Sequence, residues 1–306
     1  MRIAGTFLVV TIATFVTTSA MSSAQAGVFN EIAGVRSLAM GGAHRGIGSS
    51  NDTLYLNPAG MAIGRRYAVE FNYGNSPFDR LSDRLTHLNV SAVDSSSGPV
   101  AGGFGYTHTR GNSDGVDTSL HRIYVAAAYP IMRNMAFGVT YKHIRGTLNH
   151  AGQKREVSMS NYDAGLAIHL GQGIGIGLSA HNIIRTAKNK STLIRLVPLT
   201  FGGGLAWNLS PITVGADVVV DARNTDELVY SYHAGVEYFL QNQFPLRMGF
   251  RRVPYKKPTD GTLHIENIVT GGAAWVNAGG ALAVAFERSL ERHKNWSLIV
   301  ALKFFI

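Results

Sequence analysis

Eleven histidines, 28 Lys+Arg and 19 Asp+Glu are the groups with which this 306-residue chain could do chemistry. The histidines show no H-E-x-x-H or other metal-ligand spacing, so neither a metal nor a cofactor is expected. Cysteine is absent, which removes thiolate ligands, disulfides, cysteine nucleophiles and a lipid anchor on a processed N-terminal cysteine. The run Gly173-Ile174-Gly175-Ile176-Gly177-Leu178 has the glycine density of a nucleotide loop. It lacks the third glycine at the right step and a following helix. A hydrolase would need a Ser–His pair, and no local motif supplies one. No catalytic residue is assigned, and no enzyme is expected.

What the charged and histidine side chains do instead is alternate with apolar ones. Glu70, His87, Arg122, Lys142, Asp163, His181, Asp217, His233, Glu237 and Arg247 are all placed on one face of short period-2 segments. Such a period is that of strands with two different faces. Tyr67-x-Val69-x-Phe71-x-Tyr73 opens the series, and Trp296-x-Leu298-x-Val300-x-Leu302-x-Phe304-x-Ile306 closes it. Between Arg66 and the C-terminus the pattern yields about fourteen strands, with a blurred one over Ile268–Val276.

The apolar face of these segments carries no Lys, Arg, Asp or Glu. One Lys or Arg near a bilayer midplane costs about 2–4 kcal/mol, so a lipid-facing surface would enforce this absence. A soluble sandwich hides its apolar face equally well, and the connections separate the two. They alternate between long (near 74–85, 109–119, 146–156, 183–196, 222–227, 254–263 and 289–295) and short, as outer-membrane barrels do. Aromatic residues sort into two bands. Tyr67, Tyr129, Trp207, Tyr238, Trp275 and Phe304 fall at one strand end, and Tyr73, Tyr106, Tyr141, Tyr162, Tyr230 and Trp296 at the other. Two aromatic girdles are expected at two membrane interfaces. The predicted fold is all-β: a transmembrane antiparallel β-barrel of about fourteen strands.

Composition agrees. Charged residues make up only 15% of the chain and glycines number 35, where soluble domains carry roughly 25% charged residues. Met1-Arg2, the apolar stretch Phe7–Ala13 and the A-x-A site Ala24-Gln25-Ala26 read as a secretory signal peptide. Export makes nucleic acid an improbable partner despite the net charge of +9. The expected division is a signal peptide at 1–26, a non-barrel segment at 27–64 and a barrel at 65–306. The cell outer membrane of a Gram-negative bacterium is the expected location.

Segment 27–64 reads differently from the strands. Its core is Gly34-Val35-Arg36-Ser37-Leu38-Ala39-Met40-Gly41-Gly42-Ala43, then Asp52, Tyr55 and Asn57-Pro58-Ala59-Gly60. The order G-x-R-x-L-x-M-G-G-A followed by N-P-A-G resembles the N-terminal signature of the FadL-like outer-membrane superfamily, which includes the PorV/PorQ group. The resemblance implies a fourteen-stranded barrel with this segment folded into the lumen as a hatch. Arg36, Met40, Gly41, Gly42, Asp52, Asn57, Pro58, Ala59 and Gly60 would form the hatch or gate, with Arg36 and Asp52 pairing with lumen charges. A barrel of this size is too wide for its own side chains to fill. Small inward residues (Gly103, Gly105, Gly165, Gly173, Gly175, Gly177, Gly202 and Gly204) would leave it room.

Two functions follow from the resemblance. One is passage of small hydrophobic molecules across the outer membrane. The other is a PorV-like anchor or shuttle in a secretion or motility complex, with protein partners in the envelope. The terminal run Lys303-Phe304-Phe305-Ile306 resembles the signal read by the barrel assembly machinery, although it ends in Ile306 where many end in Phe. Outer-membrane lipid is a further expected partner. Basic residues cluster in the expected loops, Arg145, Lys154 and Arg155 among them, where they meet either lipopolysaccharide phosphates or only solvent.

Overall fold

A strand with one apolar and one polar face has to bury its backbone polar groups in a ladder, and in lipid that ladder must close on itself. The computed structural model describes residues 34–306 apart from 65, 78–83, 114–115, 188–196, 223–227, 257–262 and 293–294. The expected signal peptide, and residues 27–33 of the expected hatch, lie outside the described residues, as do Lys188, Lys190, Arg195, Lys257 and Lys294, five further basic residues of the expected loops.

Fourteen strands form one closed antiparallel barrel in sequence order. They are β1 (Tyr67–Pro77), β2 (Arg84–Asp94), β3 (Ala101–Ser113), β4 (Val116–Met132), β5 (Met135–His150), β6 (Gln153–His169) and β7 (Ile174–Ala187). The second half comprises β8 (Thr200–Leu209), β9 (Ile212–Asp221), β10 (Val229–Leu240), β11 (Phe244–Lys256), β12 (Leu263–Asn277), β13 (Gly280–Ser289) and β14 (Trp296–Phe305). β1 closes on β14, Glu70 opposite Lys303 and Tyr73 opposite Val300. No described helix is long and apolar enough to cross a membrane.

Side-chain burial follows the sequence period. Phe71, Val125, Val139, Leu205, Val218, Met248, Val284 and Val300 point outward and are exposed. Glu70, Arg122, Lys142, Asp163, Asp217, Glu237 and Arg247 point inward and are buried. Exposed large hydrophobics over the whole outer wall are stable only against hydrocarbon. Val300 lies midway along β14 between Trp296 and Phe304. A Val300→Arg substitution should therefore cost about 2–4 kcal/mol, read as a lower midpoint in urea unfolding from lipid vesicles.

The expected rhythm of long and short connections needs one correction. Residues 109–119 and 146–156 are mostly strand. β5 and β6 meet in the turn Ala151-Gly152, with φ of 49° and 77°. β4, β5 and β6 run 17, 16 and 17 residues, whereas β8, β9, β13 and β14 run 10 each. The surplus is about 20 Å of strand at roughly 3.3 Å per residue, more than a bilayer needs. On this side the wall itself rises out of the membrane. Polar residues on the outer face there read as loop in the sequence, but the ladder continues unbroken beneath them.

Among the described residues, two register shifts interrupt the wall, one at the β4–β5 turn between Pro130 and Met132 and one within it. The β6–β7 register shifts between Tyr162 and Ala164, and Asn182 on β7 has a φ of 60°. Beyond His181, β7 is no longer paired with β8.

Inside the barrel lie α1 (Val35–Ala39), α2 (Thr53–Leu56) and a 3-10 turn over Pro58–Ala62. Nearly every residue from Gly34 to Met61 is buried.

Candidate functional site

The inward segment is short of helix: α1 has five residues and α2 four. Its backbone polar groups must therefore find partners on the wall or on its own side chains. Asp52 does the latter. Its Oδ2 accepts from the amide of Ser37 at 2.6 Å, where the helix end favours a negative charge. It makes no described ion pair with the lumen wall, so the expected pairing of Asp52 is replaced by a cap within the segment.

Arg36 does reach the wall. Its Nε donates to Glu237 Oε2 at 3.0 Å, and its Nη2 lies 2.5 Å from Oε1. Arg247 Nε donates to the same Oε2 at 2.6 Å. Glu237 is fully buried, so this fork of two guanidiniums on one carboxylate is what keeps the charge tolerable there. Arg36 also donates to Ser49 Oγ at 2.7 Å.

A second anchor was not legible from spacing. Arg45 Nη1 lies 3.1 Å from Asp217 Oδ2, and that oxygen also accepts from the amides of His44 and Arg45 at 3.0 Å. Arg45 is the only other arginine within Gly34–Gly60, a stretch of small and apolar residues, and this was the available signal. Burial holds the neighbouring His44 imidazole down to about 4. At neutral pH it is uncharged, with Nε2–H donating to the Ser49 carbonyl at 2.7 Å.

Further contacts run around the circumference. Asn57 Nδ2 donates to the carbonyls of Arg45 and Leu166, both at 3.1 Å. His181 Nε2 donates to Leu56 O at 3.2 Å, and His233 Nδ1 to Gly41 O at 2.7 Å. Thr140 and Thr270 hydroxyls donate to Leu54 O and Ala39 O. Tyr55 packs edge-on to Tyr124 with ring centroids 4.9 Å apart. Ala59 is sealed against Ala136 and Ala167, Met40 packs with Ile47 and Ala206, and Pro58 opens the 3-10 turn.

The wall glycines give the segment its room. A Cβ on Gly138 would lie 2.5 Å from the Ala59 nitrogen and the Pro58 carbonyl carbon. Gly103 and Gly105 face Leu54, Tyr55 and Met61, Gly165 faces Asn57, and Gly175, Gly177, Gly202 and Gly204 face Arg45 and Gly46. Gly173 does not belong with them. It sits in the β7-preceding turn with φ +79°, against Asn208 of the neighbouring hairpin. Within the segment, Gly41 adopts φ +65° under the Phe250 and Ala234 carbonyls. Gly42, at φ +85°, abuts His233, and Gly60 abuts Thr53 and Gly48. A side chain at Gly41 would meet both strain and backbone.

Other inward charges pair wall to wall. Lys142 Nζ lies 2.9 Å and His181 Nδ1 3.1 Å from Asp163 Oδ2. Asp163 Oδ1 accepts from the Asn182 amide at 2.7 Å, so this network stitches the β6–β7 irregularity. Lys303 pairs with Glu70. His87 bonds Thr109 at 3.0 Å, and Arg122 is buried beside the same threonine.

Above the segment the polarity of the alternation inverts. On β4, β5 and β6 the inward positions become Val116, Leu120, Ile144, Leu148, Val157 and Met159. With Leu85 and Val197 they form a buried apolar cluster inside the risen wall. This apolar lining was not expected from the sequence, where Val116 and Leu148 fell within the expected loops 109–119 and 146–156 and the others lay just beside them.

No family model and no curated protein matches the chain. Solved structures do. "CymD monoaromatic hydrocarbon channel" superposes with a TM-score of 0.71 at 12% identity, covering 90% of this chain and 98% of that one. The toluene transporter TbuX of Ralstonia pickettii gives 0.68 at 12% identity over 89% and 98%. A FadL homologue of Pseudomonas aeruginosa gives 0.64 at 10% over 89% and 98%. The chain has the FadL-type barrel fold. Similarity at this identity speaks for the fold, and this FadL-type barrel carries its own lumen chemistry in the Arg36–Glu237–Arg247 and Arg45–Asp217 groups.

Proposed function

We propose that this FadL-type barrel passes small hydrophobic molecules across the outer membrane, after export by a cleaved signal peptide. The observation that carries the reading is the apolar cluster of Leu120, Ile144, Leu148 and Met159 on the inward face of the risen wall. A water-filled pore has no use for it, because apolar area exposed to water costs roughly 25 cal/mol per Å². A hydrophobic solute would replace the contacts these side chains make with one another. The structural neighbours named as a hydrocarbon channel and toluene transporters support the same class of solute. They give no support to a PorV-like anchor, and none is named as an enzyme.

In this reading residues 27–64 are the gate and 65–306 the barrel. Arg36, Met40, Gly41, Gly42, Asp52, Asn57, Pro58, Ala59 and Gly60 hold the gate shut, directly or through the segment's own packing. Crystals soaked with 4-bromotoluene test the route. Anomalous density inside the lumen against Leu120, Leu148 and Met159 is expected. Density confined to the lipid-facing wall would refute a hydrophobic route through the lumen.

A further inference from the structure

The outer face of the risen wall is the reverse of its apolar lining. Along β3–β6 the outward rows above Tyr106, Tyr141 and Tyr162 turn polar within one or two residues. Tyr106 Oη bonds His121 Nδ1 at 2.7 Å, and His121 stacks on His108 with centroids 4.4 Å apart. Tyr141 Oη and His143 Nδ1 both bond Ser160 Oγ at 3.0 Å. Tyrosine rings with bonded hydroxyls mark the level of lipid head groups.

Immediately above this belt the register sets Arg145 beside His121, then Arg110 beside Ser119, then Lys154 beside Asn149. A groove of about 420 Å³ opens here, lined by Arg110, Ser119, Thr147, Asn149, Lys154 and Asp117. Asp117 is engaged by Asn112 Nδ2 at 2.7 Å, and Glu156, opposite Thr147, is the other carboxylate on this outward face among the described residues. Arg110, Arg145 and Lys154 make no ion pair among the described residues, whereas most inward cations do. Two unpaired cations, Arg110 and Lys154, on a groove floored by hydroxyls and an amide, with Arg145 beside it two residues before Thr147 on the same strand, are the complement of a phosphorylated sugar: guanidinium and ammonium groups for phosphate, Ser, Thr and Asn for sugar hydroxyls.

We propose that the outer wall of β3–β6 binds the phosphorylated head group of lipopolysaccharide, with Arg110, Arg145 and Lys154 on its phosphates. The position decides the source. The groove lies on the outside of the barrel directly above the lipid-facing rows, so the head group that reaches it belongs to the surrounding outer leaflet. The β8, β9, β13 and β14 strands, at 10 residues each, offer no comparable wall. Bound lipid would seal the protein's margin where hydrophobic solutes arrive, whatever the lumen carries.

The test is native mass spectrometry of the full chain in detergent after incubation with purified deep-rough lipopolysaccharide. The unaltered chain should retain one or more adducts. The Arg110→Gln/Arg145→Gln/Lys154→Gln variant should lose them by about tenfold or more, because charge-assisted bonds are the strong ones. Heat-dependent mobility on SDS gels confirms that the variant barrel is folded. An arm that needs no variant uses the same lipopolysaccharide after enzymatic dephosphorylation, and adducts with the unaltered chain should fall likewise. Equal adducts with the variant, equal adducts with dephosphorylated lipid, or equally persistent phosphatidylglycerol adducts would each overturn the proposal.

Discussion

Replacing Glu237 with alanine is expected to release the inward segment and turn a closed barrel into a leaky one. Glu237 is fully buried and holds both Arg36 and Arg247. Its removal leaves two guanidiniums facing each other with no counter-charge, and breaking a buried pair from one side costs about 3–5 kcal/mol. At about 1.4 kcal/mol per power of ten, the closed-to-open ratio falls by a factor of about 10² to 4 × 10³. The wall keeps its backbone ladder on both sides of residue 237, so the barrel itself should still assemble. Planar-bilayer recordings should then show frequent open steps that the unaltered protein rarely shows. Glu237→Gln, which keeps an acceptor oxygen, should fall between the two. Recordings from Glu237→Ala that match the unaltered protein would show that Arg36 does not hold the segment.

A second large effect is expected at Gly138. The Cβ of a valine there would lie 2.5 Å from the Ala59 nitrogen and the Pro58 carbonyl carbon. Main-chain atoms cannot give way as a side-chain tip would, and overpacking a tight contact costs typically 1–3 kcal/mol even where neighbours adjust. The 3-10 turn Pro58–Ala62 must therefore leave the wall. Because the chain has no cysteine, Met61→Cys supplies a single thiol at a buried position. Its maleimide labelling in the Gly138→Val background should be at least about tenfold faster than in the parent, for a contact loss of this size. Gly102→Val, on a glycine with nothing within 4 Å of its Cβ, should leave labelling slow.

The barrel was legible because the bilayer imposes one rule on every strand: apolar out, polar or small in. Val300, Val284 and Phe71 obey it, and so do Glu70 and Glu237, so strand count and face followed from period 2 alone. The rule ends where the lipid ends. Val116, Leu120, Ile144 and Leu148 invert it, because outside the membrane the outer face meets water and the lumen side packs. In the sequence that inversion blurs the alternation into what looks like loop. Individual lumen partners were less legible for a different reason. Arg45 and Asp217 are 172 positions apart, and alternation says that both face inward without saying at which height. Asp52 illustrates the converse. A carboxylate in the segment looked like a partner for the wall, yet the unsatisfied amide of Ser37 at a helix start lay nearer. The glycines fall between: their inward face was readable, and the exception, Gly173, stands one residue before β7, where the chain is still turning.

Uptake of labelled toluene at low concentration tests the central claim most directly, because intact lipopolysaccharide is the barrier that a hydrophobic route must bypass. Three strains suffice: one lacking the protein, one producing it, and one producing Leu120→Arg/Leu148→Arg, which lines the route with charge. Initial uptake should rise several-fold with the unaltered protein and return to background with the arginine variant, while uptake of a hydrophilic sugar stays unchanged in all three. Equal toluene uptake with and without the protein would contradict the account.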